Sequence, residues 1–182
     1  MAISSCGGGP KSVEVDGHVF HVPQKYLVEG TIPWLPSGQS DGLKFIINPD
    51  ARREEQMLVT IEATDGTCHP KTPPASNQLA SACAAASEGS ALLQTADYAV
   101  ERVNRDGDPT QWYYRLKGQE EGHEVIVASC YALSGDGKSG LCTSLNNYDD
   151  LVYSVGLRSD DVERLPTIRK TVSDLLKSWE EH

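Results

Sequence analysis

The four internal cysteines constrain the fold of this 182-residue chain more than any other feature. They form two closely spaced pairs, Cys68 with Cys83 and Cys130 with Cys142. Three disulfide connectivities are possible, and the local one is favoured because each pair would close a turn-rich loop whose ends we expect to be adjacent strands. Closing a loop of about 15 residues stabilises a fold by about 3 kcal/mol. A zinc site is the alternative, but it needs C-x2-C spacing or partnered histidines, and the sequence has neither.

Disulfides favour an oxidising compartment, and we expect the periplasm. The fifth cysteine, Cys6, lies in the segment ISSCGGG, which resembles a bacterial lipobox followed by a flexible tether. In proteins with that pattern the cysteine is lipidated, so Cys6 is the predicted lipidation site. A signal peptide needs a charged segment and an apolar segment before this point, and we expect that this form has been trimmed of them. The alternative is a Gly-rich N-terminus with an unmodified cysteine.

Composition excludes several classes of protein. Acidic residues outnumber basic ones by 26 to 16, which gives a net charge of −10 that would repel a nucleic-acid backbone. The 38% hydrophobic and 23% charged shares are typical of a globular chain. No apolar run is long enough to span a membrane. The length fits one domain, so we predict a flexible tether over 1–12 and a single domain over 13–182.

Short apolar segments separated by turn residues predict a strand-rich fold. The Asp16-Gly17 pair indicates a tight hairpin within residues 13–22, because both turn positions favour positive φ. The other predicted strands are 43–47, 57–63, 112–116, 124–132 and 151–157. Residues 91–104 fit either a helix or a strand.

Two helices complete the predicted fold. Residues 77–89 form an Ala-rich segment, which Asn77 can cap and Gly89 can close. From Leu165 to Trp179, apolar residues recur every three or four positions, and Pro166 suits a first helical turn. We therefore predict an α+β fold, with an antiparallel β-sheet, a C-terminal amphipathic helix packed on it and a short Ala-rich helix.

Two loops begin like ligand-binding motifs but lack essential residues. Residues 132–139 fit a loose phosphate-binding loop, yet Gly140 follows where a helix must begin, so we expect a hairpin loop. The run Asn104-x-Asp106-x-Asp108 starts like a calcium loop, but proline stands where glycine is needed.

The histidines form no recognisable catalytic or metal-binding set. His18 and His21 lie three apart on a predicted strand, so they point to opposite faces and cannot share a metal. We therefore predict a protein that is not an enzyme and has no cofactor or metal. The alternative is a secreted enzyme whose site is assembled from distant residues, for which His18, His21 and His123 are the candidates.

Three segments resemble periplasmic immunity lipoproteins. They are FHVPQKYL at 20–27, the Cys130 and Cys142 pair with the later strand around Tyr153, and LPTIRKTVSDLLKSW at 165–179. Proteins of this kind accompany antibacterial effectors of Gram-negative contact-dependent secretion systems, such as the type VI system. They are found especially with lipase or phospholipase toxins.

The resemblance implies a protein that binds a cognate toxin in the periplasm and occludes its active site. The net charge of −10 favours a basic contact face on that toxin and a faster encounter. Loops held by disulfides lose little entropy on binding, so we expect loop residues to contact the partner. The predicted contact residues are Trp34, Asp41, Asp136, Lys138, Asn147, Tyr148, Asp149 and Asp150. The alternative function is that of a structural or assembly lipoprotein of the bacterial envelope with no toxin partner.

Overall fold

The computed structural model describes residues 9–28, 42–68, 76–89, 99–105, 107–118, 124–135, 137 and 139–181. These residues form nine strands and three α-helices. The strands are β1 (Lys11–Val15), β2 (His18–Val22), β3 (Gly42–Ile47), β4 (Met57–Glu62), β5 (Val100–Arg105), β6 (Asp108–Leu116), β7 (Ile126–Ala132), β8 (Gly140–Tyr148) and β9 (Leu151–Arg158). The helices are α1 (Thr64–Thr67), α2 (Asn77–Ser87) and α3 (Leu165–Trp179). None of the helices within these ranges is both long and apolar enough to cross a membrane.

Seven of the described strands form one antiparallel sheet, in the order β3-β4-β9-β8-β7-β6-β5. Strands β5 to β9 follow one another as a meander, and the β3–β4 hairpin joins this meander through β9. Strands β1 and β2 form a separate hairpin with the predicted turn, in which Asp16 and Gly17 both have positive φ. The predicted antiparallel α+β fold is therefore confirmed.

Helix α3 covers one face of the sheet with the apolar stripe that the sequence predicts. Its buried side chains are Leu165, Ile168, Val172, Leu176 and Trp179. The indole ring of Trp179 lies 5.0 Å from the ring of Phe45 on β3 and 5.0 Å from that of Tyr26. These residues share one apolar core with the β1–β2 hairpin, so helix, hairpin and sheet are held by the same buried cluster.

Helix α2 covers only part of the opposite face. Its small residues Ala82 and Ala86 pack against Val152 of β9, and their size lets the helix lie close to the sheet. Ser76 caps this helix, where the sequence predicts Asn77: the Ser76 hydroxyl accepts from the N–H of Leu79 at 3.2 Å. Asn77 is already helical, whereas a capping residue needs the extended backbone that Ser76 has. Gly89 has positive φ after the helix, as predicted.

Strand β8 extends well beyond what the sequence predicts. The sequence predicts only the start of the strand, near Cys142. Further along, the polar residues Ser144 and Asn146 occupy its buried face and interrupt the apolar alternation that indicates a strand. Both side chains make hydrogen bonds within the fold. Ser144 donates to the carbonyl oxygen of Val127 at 2.7 Å, and Asn146 donates to the Ser144 hydroxyl at 3.2 Å. The segment 91–104, which fitted either a helix or a strand, overlaps strand β5 from Val100 onward, and its residues 91–98 lie outside the described residues.

Candidate functional site

Four predicted contact residues, 147–150, lie at the turn between β8 and β9. Tyr148 and Leu151 pair across it, which leaves Asp149 and Asp150 as the two turn residues. Asp149 has a φ of +49°, a conformation that short polar residues tolerate. The side-chain amide of Asn147 donates to the carbonyl oxygen of Asp149 at 3.0 Å, and both aspartates are exposed. The turn therefore presents two carboxylates to solvent at one end of the sheet.

Tyr148 faces the interior at the base of this turn. Its side chain belongs to the core, and the residue is 5% exposed. Its hydroxyl donates to Glu180 Oε2 at 2.6 Å. Burial, together with the hydrogen bond and negative charge of Glu180, raises the pKa of the Tyr148 hydroxyl, which therefore stays a donor. Tyr148 thus supports the turn from inside, and its contact with a partner stays a prediction.

A histidine joins this turn to the end of the chain, in an arrangement that we call the His18 clip (His18, Asp150 and Glu180). His18 Nδ1 lies 2.5 Å from Glu180 Oε1, and Nε2 lies 2.7 Å from Asp150 Oδ1. Since each ring nitrogen faces a carboxylate, the geometry suits the doubly protonated ring. Partial burial lowers the pKa of His18, but the two carboxylates raise it by more, and the net shift is upward.

Further hydrogen bonds connect the clip to neighbouring segments. The Thr64 hydroxyl donates to the carbonyl oxygen of Asp150, and the Thr64 N–H donates to Asp16 Oδ2 at 2.6 Å. The N–H of Glu181 donates to the carbonyl oxygen of Val19 at 2.9 Å. The N-terminal hairpin, helix α1, the β8–β9 turn and the residues after α3 therefore meet at one place. No local pattern predicts this meeting, because Asp150 and Glu180 lie 132 and 162 residues after His18.

The two histidines point to opposite faces of β2, as the sequence predicts. His21 contacts Ser12 and Glu181, on the side away from the clip. A doubly protonated His18, with both N–H groups bonded to carboxylates, has no lone pair with which to act as a general base. Within the described ranges, no group of three or more His, Cys, Asp or Glu side chains is arranged to hold a metal ion.

The predicted Cys130–Cys142 disulfide crosses β7 and β8. The two residues face each other in the ladder, and their Cα atoms are 4.0 Å apart. The loop after β7 is held from outside as well, because Arg102 donates to the carbonyl oxygen of Gly137 at 2.8 Å. A strand follows this loop, which confirms the predicted hairpin loop and leaves no helix for a phosphate-binding motif. Asp136 and Lys138 themselves lie outside the described residues, and their contact role stays a prediction.

The predicted Cys68–Cys83 disulfide is also present, with Cα atoms 5.5 Å apart. The local connectivity is therefore confirmed for both pairs. However, the expectation that adjacent strands flank this loop is wrong. Cys68 follows helix α1 and Cys83 lies within α2, because the Ala-rich segment has too little bulk for a buried strand but packs closely as a helix. This disulfide therefore fastens α2 beside the end of β4.

Three other predicted positions fall outside the described residues. They are the lipidation site Cys6 and the contact residues Trp34 and Asp41. Their roles stay predictions.

Sequence reasoning missed a surface on the sheet face that α2 leaves partly uncovered. Tyr131 on β7, Leu141 on β8 and Arg158 on β9 are direct cross-strand neighbours on this face. Tyr131 is 55% exposed and Leu141 is 37% exposed. We call this row and the recess beside it the open groove. Strand rise places it about 23 Å from the β8–β9 turn, at the other end of β8.

The open groove is a shallow recess of about 320 Å³. Its floor includes Thr143 and Gly156, which pair across β8 and β9, and the absence of a side chain at Gly156 deepens it. The 3-10 turn Arg53–Glu55 contributes to one wall. Exposed aromatic and aliphatic side chains on a rigid sheet are typical of interface centres. The sequence signal for this surface was strand β7, which has apolar residues on both faces. Cys130 faces the core, so Tyr131, the next residue, faces the other side of the sheet.

Comparison with solved structures finds a similar fold. No family model matches the chain, and neither does any curated protein. Among solved structures, the chain is similar to Smlt3025, an immunity protein of the Stenotrophomonas maltophilia type IV secretion system. The TM-score is 0.51 at 13% sequence identity, and the match covers 96% of this chain and 94% of that one. The secretion system named there is type IV, whereas the sequence resemblance suggested type VI. The chain therefore shares its overall fold with a secretion-system immunity protein.

Proposed function

We propose that this chain is an immunity protein, which binds a cognate antibacterial toxin in the periplasm and neutralises it by occluding its active site. The observation that carries the proposal is the fold, which is similar over nearly the whole of both chains to a protein described as an immunity protein. The three sequence segments that resemble immunity lipoproteins point to the same class.

The surface of the molecule suits a binding protein. The Cys130–Cys142 disulfide and the Arg102 contact hold the β7–β8 loop, while the His18 clip holds the β8–β9 turn. Groups that are already ordered lose less entropy when a partner binds. The exposed Asp149 and Asp150, in a chain of net charge −10, favour encounter with a basic face.

The periplasm is the proposed compartment. Both disulfides are consistent with an oxidising environment. Lipidation at Cys6 would tether the chain to a membrane, close to where an incoming toxin acts. The proposed toxin class, a lipase or phospholipase, rests on the sequence resemblance alone.

Co-expression tests the proposal. The product of the neighbouring gene is exported to the periplasm of a naive host, with and without this chain, and surviving cells are counted. We expect rescue by the exported chain and a stable 1:1 complex of the purified proteins. As a control, the same chain without an export signal should leave the cells unprotected.

A second measurement tests the finer points. Purified toxin is assayed for phospholipid hydrolysis with increasing amounts of the chain, and we expect full inhibition at a 1:1 ratio. A toxin that hydrolyses another bond would remove the lipase assignment but retain the immunity function. A harmless neighbour that forms no complex would favour the envelope lipoprotein instead.

A further inference from the structure

The apolar row of the open groove is held in place by a covalent bond beneath it. Tyr131 and Leu141 are each adjacent in sequence to one cysteine of the Cys130–Cys142 disulfide, and they pair in the same ladder. The disulfide lies in the core, so the two exposed side chains stand on a locked backbone on the opposite face. A partner that packs on them would therefore order little of the chain.

The charged groups of the open groove are unequally neutralised. Among the acidic lining residues, Asp161 pairs with Arg164 at 2.8 Å, whereas Glu54 lies 3.5 Å from Arg52, which pairs more closely with Glu55. The lining arginines are Arg53 and Arg158, and neither has a carboxylate within ion-pair distance among the described residues. Two carboxylates and two arginines therefore line the open groove, and among the described residues the two guanidinium groups beside its apolar side chains have no ion-pair partner.

We propose that the open groove is the central contact site for the toxin, and this inference rests on the proposed function. It receives a segment of the toxin that carries an apolar side chain and a neighbouring carboxylate. The apolar side chain packs on Tyr131 and Leu141, and the carboxylate pairs with Arg158 and Arg53. Buried aromatic and arginine residues are the usual anchors of such interfaces.

A toxin segment fits this site better than a second copy of the chain. Two copies related by a twofold axis would bring the same surface of each into contact. Two recesses that face each other would leave a gap between the copies, whereas a projecting segment of a partner fills the recess and packs on its apolar row. The open groove favours a carboxylate on the toxin, whereas the turn with Asp149 and Asp150 favours a basic toxin surface. Variants at the two places can therefore show which of them binds the toxin.

Binding measurements on groove variants test the inference. Leu141→Asp and Arg158→Glu are purified with both disulfides intact, and their affinity for the toxin is compared with that of the wild-type chain. We expect each to weaken binding by about 30-fold, as the loss of a central anchor does. Lys177→Glu, a matched charge reversal on the exposed side of α3, should change affinity less than about twofold, as surface sites away from an interface do. Wild-type affinity in both groove variants would overturn the assignment.

A second arm separates failure of the inference from failure of the proposed function. If the wild-type chain neither binds nor neutralises the toxin, the proposed function fails and a peptide titration decides the groove chemistry. Two peptides, N-acetyl-Asp-Trp-Asp-amide and N-acetyl-Lys-Trp-Lys-amide, are titrated into the chain, and the NMR chemical shifts of the chain are followed. Stronger shifts at Tyr131, Leu141 and Arg158 with the acidic peptide would support the inference. Chemical-shift changes that are equal for the two peptides, or absent with both, would overturn it. It would also be overturned if the chain formed a dimer that the Leu141→Asp substitution dissociates.

Discussion

His18 and Glu180 lie 162 residues apart in sequence, yet only 2.5 Å separates Nδ1 of the imidazole from Oε1 of the carboxylate. The other ring nitrogen faces Asp150 at 2.7 Å. This clip joins the N-terminal hairpin to the chain end and to the exposed acidic turn. Its strength depends on the charge of His18, and therefore on pH.

We expect the His18 clip to make stability depend on pH. The folded-state pKa of His18 is raised above the unfolded value of about 6.5. The contribution is therefore complete below the unfolded pKa and is lost as pH rises through the folded pKa. Urea unfolding between pH 5 and 9 should show a fall in the free energy of unfolding for the wild-type chain, and His18→Gln should flatten that part of the curve.

The matched control for the clip is His21→Gln. His21 lies on the other side of the same strand and contacts Ser12 and Glu181 near the surface. We expect the wild-type pH dependence to persist in this variant. An unchanged pH dependence in His18→Gln would contradict the role given to the clip.

Tyr148→Phe tests the support beneath the acidic turn. The variant keeps the buried ring but removes the hydroxyl that donates to Glu180 at 2.6 Å. A hydrogen bond to a charged group contributes about 1.5–3 kcal/mol, so we expect the free energy of unfolding to fall by about 2 kcal/mol. Tyr131→Phe is the control at an exposed tyrosine and should change stability little. Equal effects of the two substitutions, measured by denaturant unfolding, would argue against this support.

Removing the cross-strand disulfide should destabilise the fold without changing its topology. Replacing Cys130 and Cys142 together by Ala opens a loop with a sequence separation of 12. The unfolded state gains chain entropy when this loop opens, which lowers the free energy of unfolding by about 3 kcal/mol. We expect reducing agent to destabilise this double variant less than the wild-type chain, because only Cys68–Cys83 remains for it to cleave. Wild-type stability of the oxidised double variant would contradict the prediction.

Gly137→Ala should disturb the β7–β8 loop. Gly137 has a φ of +62°, and an added Cβ would collide with the carbonyl oxygen of Pro109. We expect a loss of about 1–3 kcal/mol in the free energy of unfolding, as strained backbone positions show. Gly135→Ala lies two residues away with open space around its Cβ position, so it serves as the control. The two variants are compared with the wild-type chain by thermal unfolding. Midpoints equal to that of the wild-type chain in both variants would contradict the prediction.

Local patterns predicted the elements whose residues repeat at the period of their own structure. The stripe from Leu165 to Trp179 matches the period of a helix, and it is buried as one face of α3. The Asp16-Gly17 turn and the close cysteine pairs are also local, because each depends on residues near one another in sequence. Strand β8 was mostly missed because Ser144 and Asn146 break the apolar alternation on its buried face.

The sequence by itself therefore determined the fold class, the two disulfides and the Asp16-Gly17 turn. Only the tertiary structure decided which surfaces these elements build. The His18 clip needs three segments that are far apart in the chain, and the open groove needs the strand order β9-β8-β7 and a helix that stops short of covering it. Side-chain periodicity is a local property of the chain. Strand order and face coverage follow from long-range packing, which no short segment encodes.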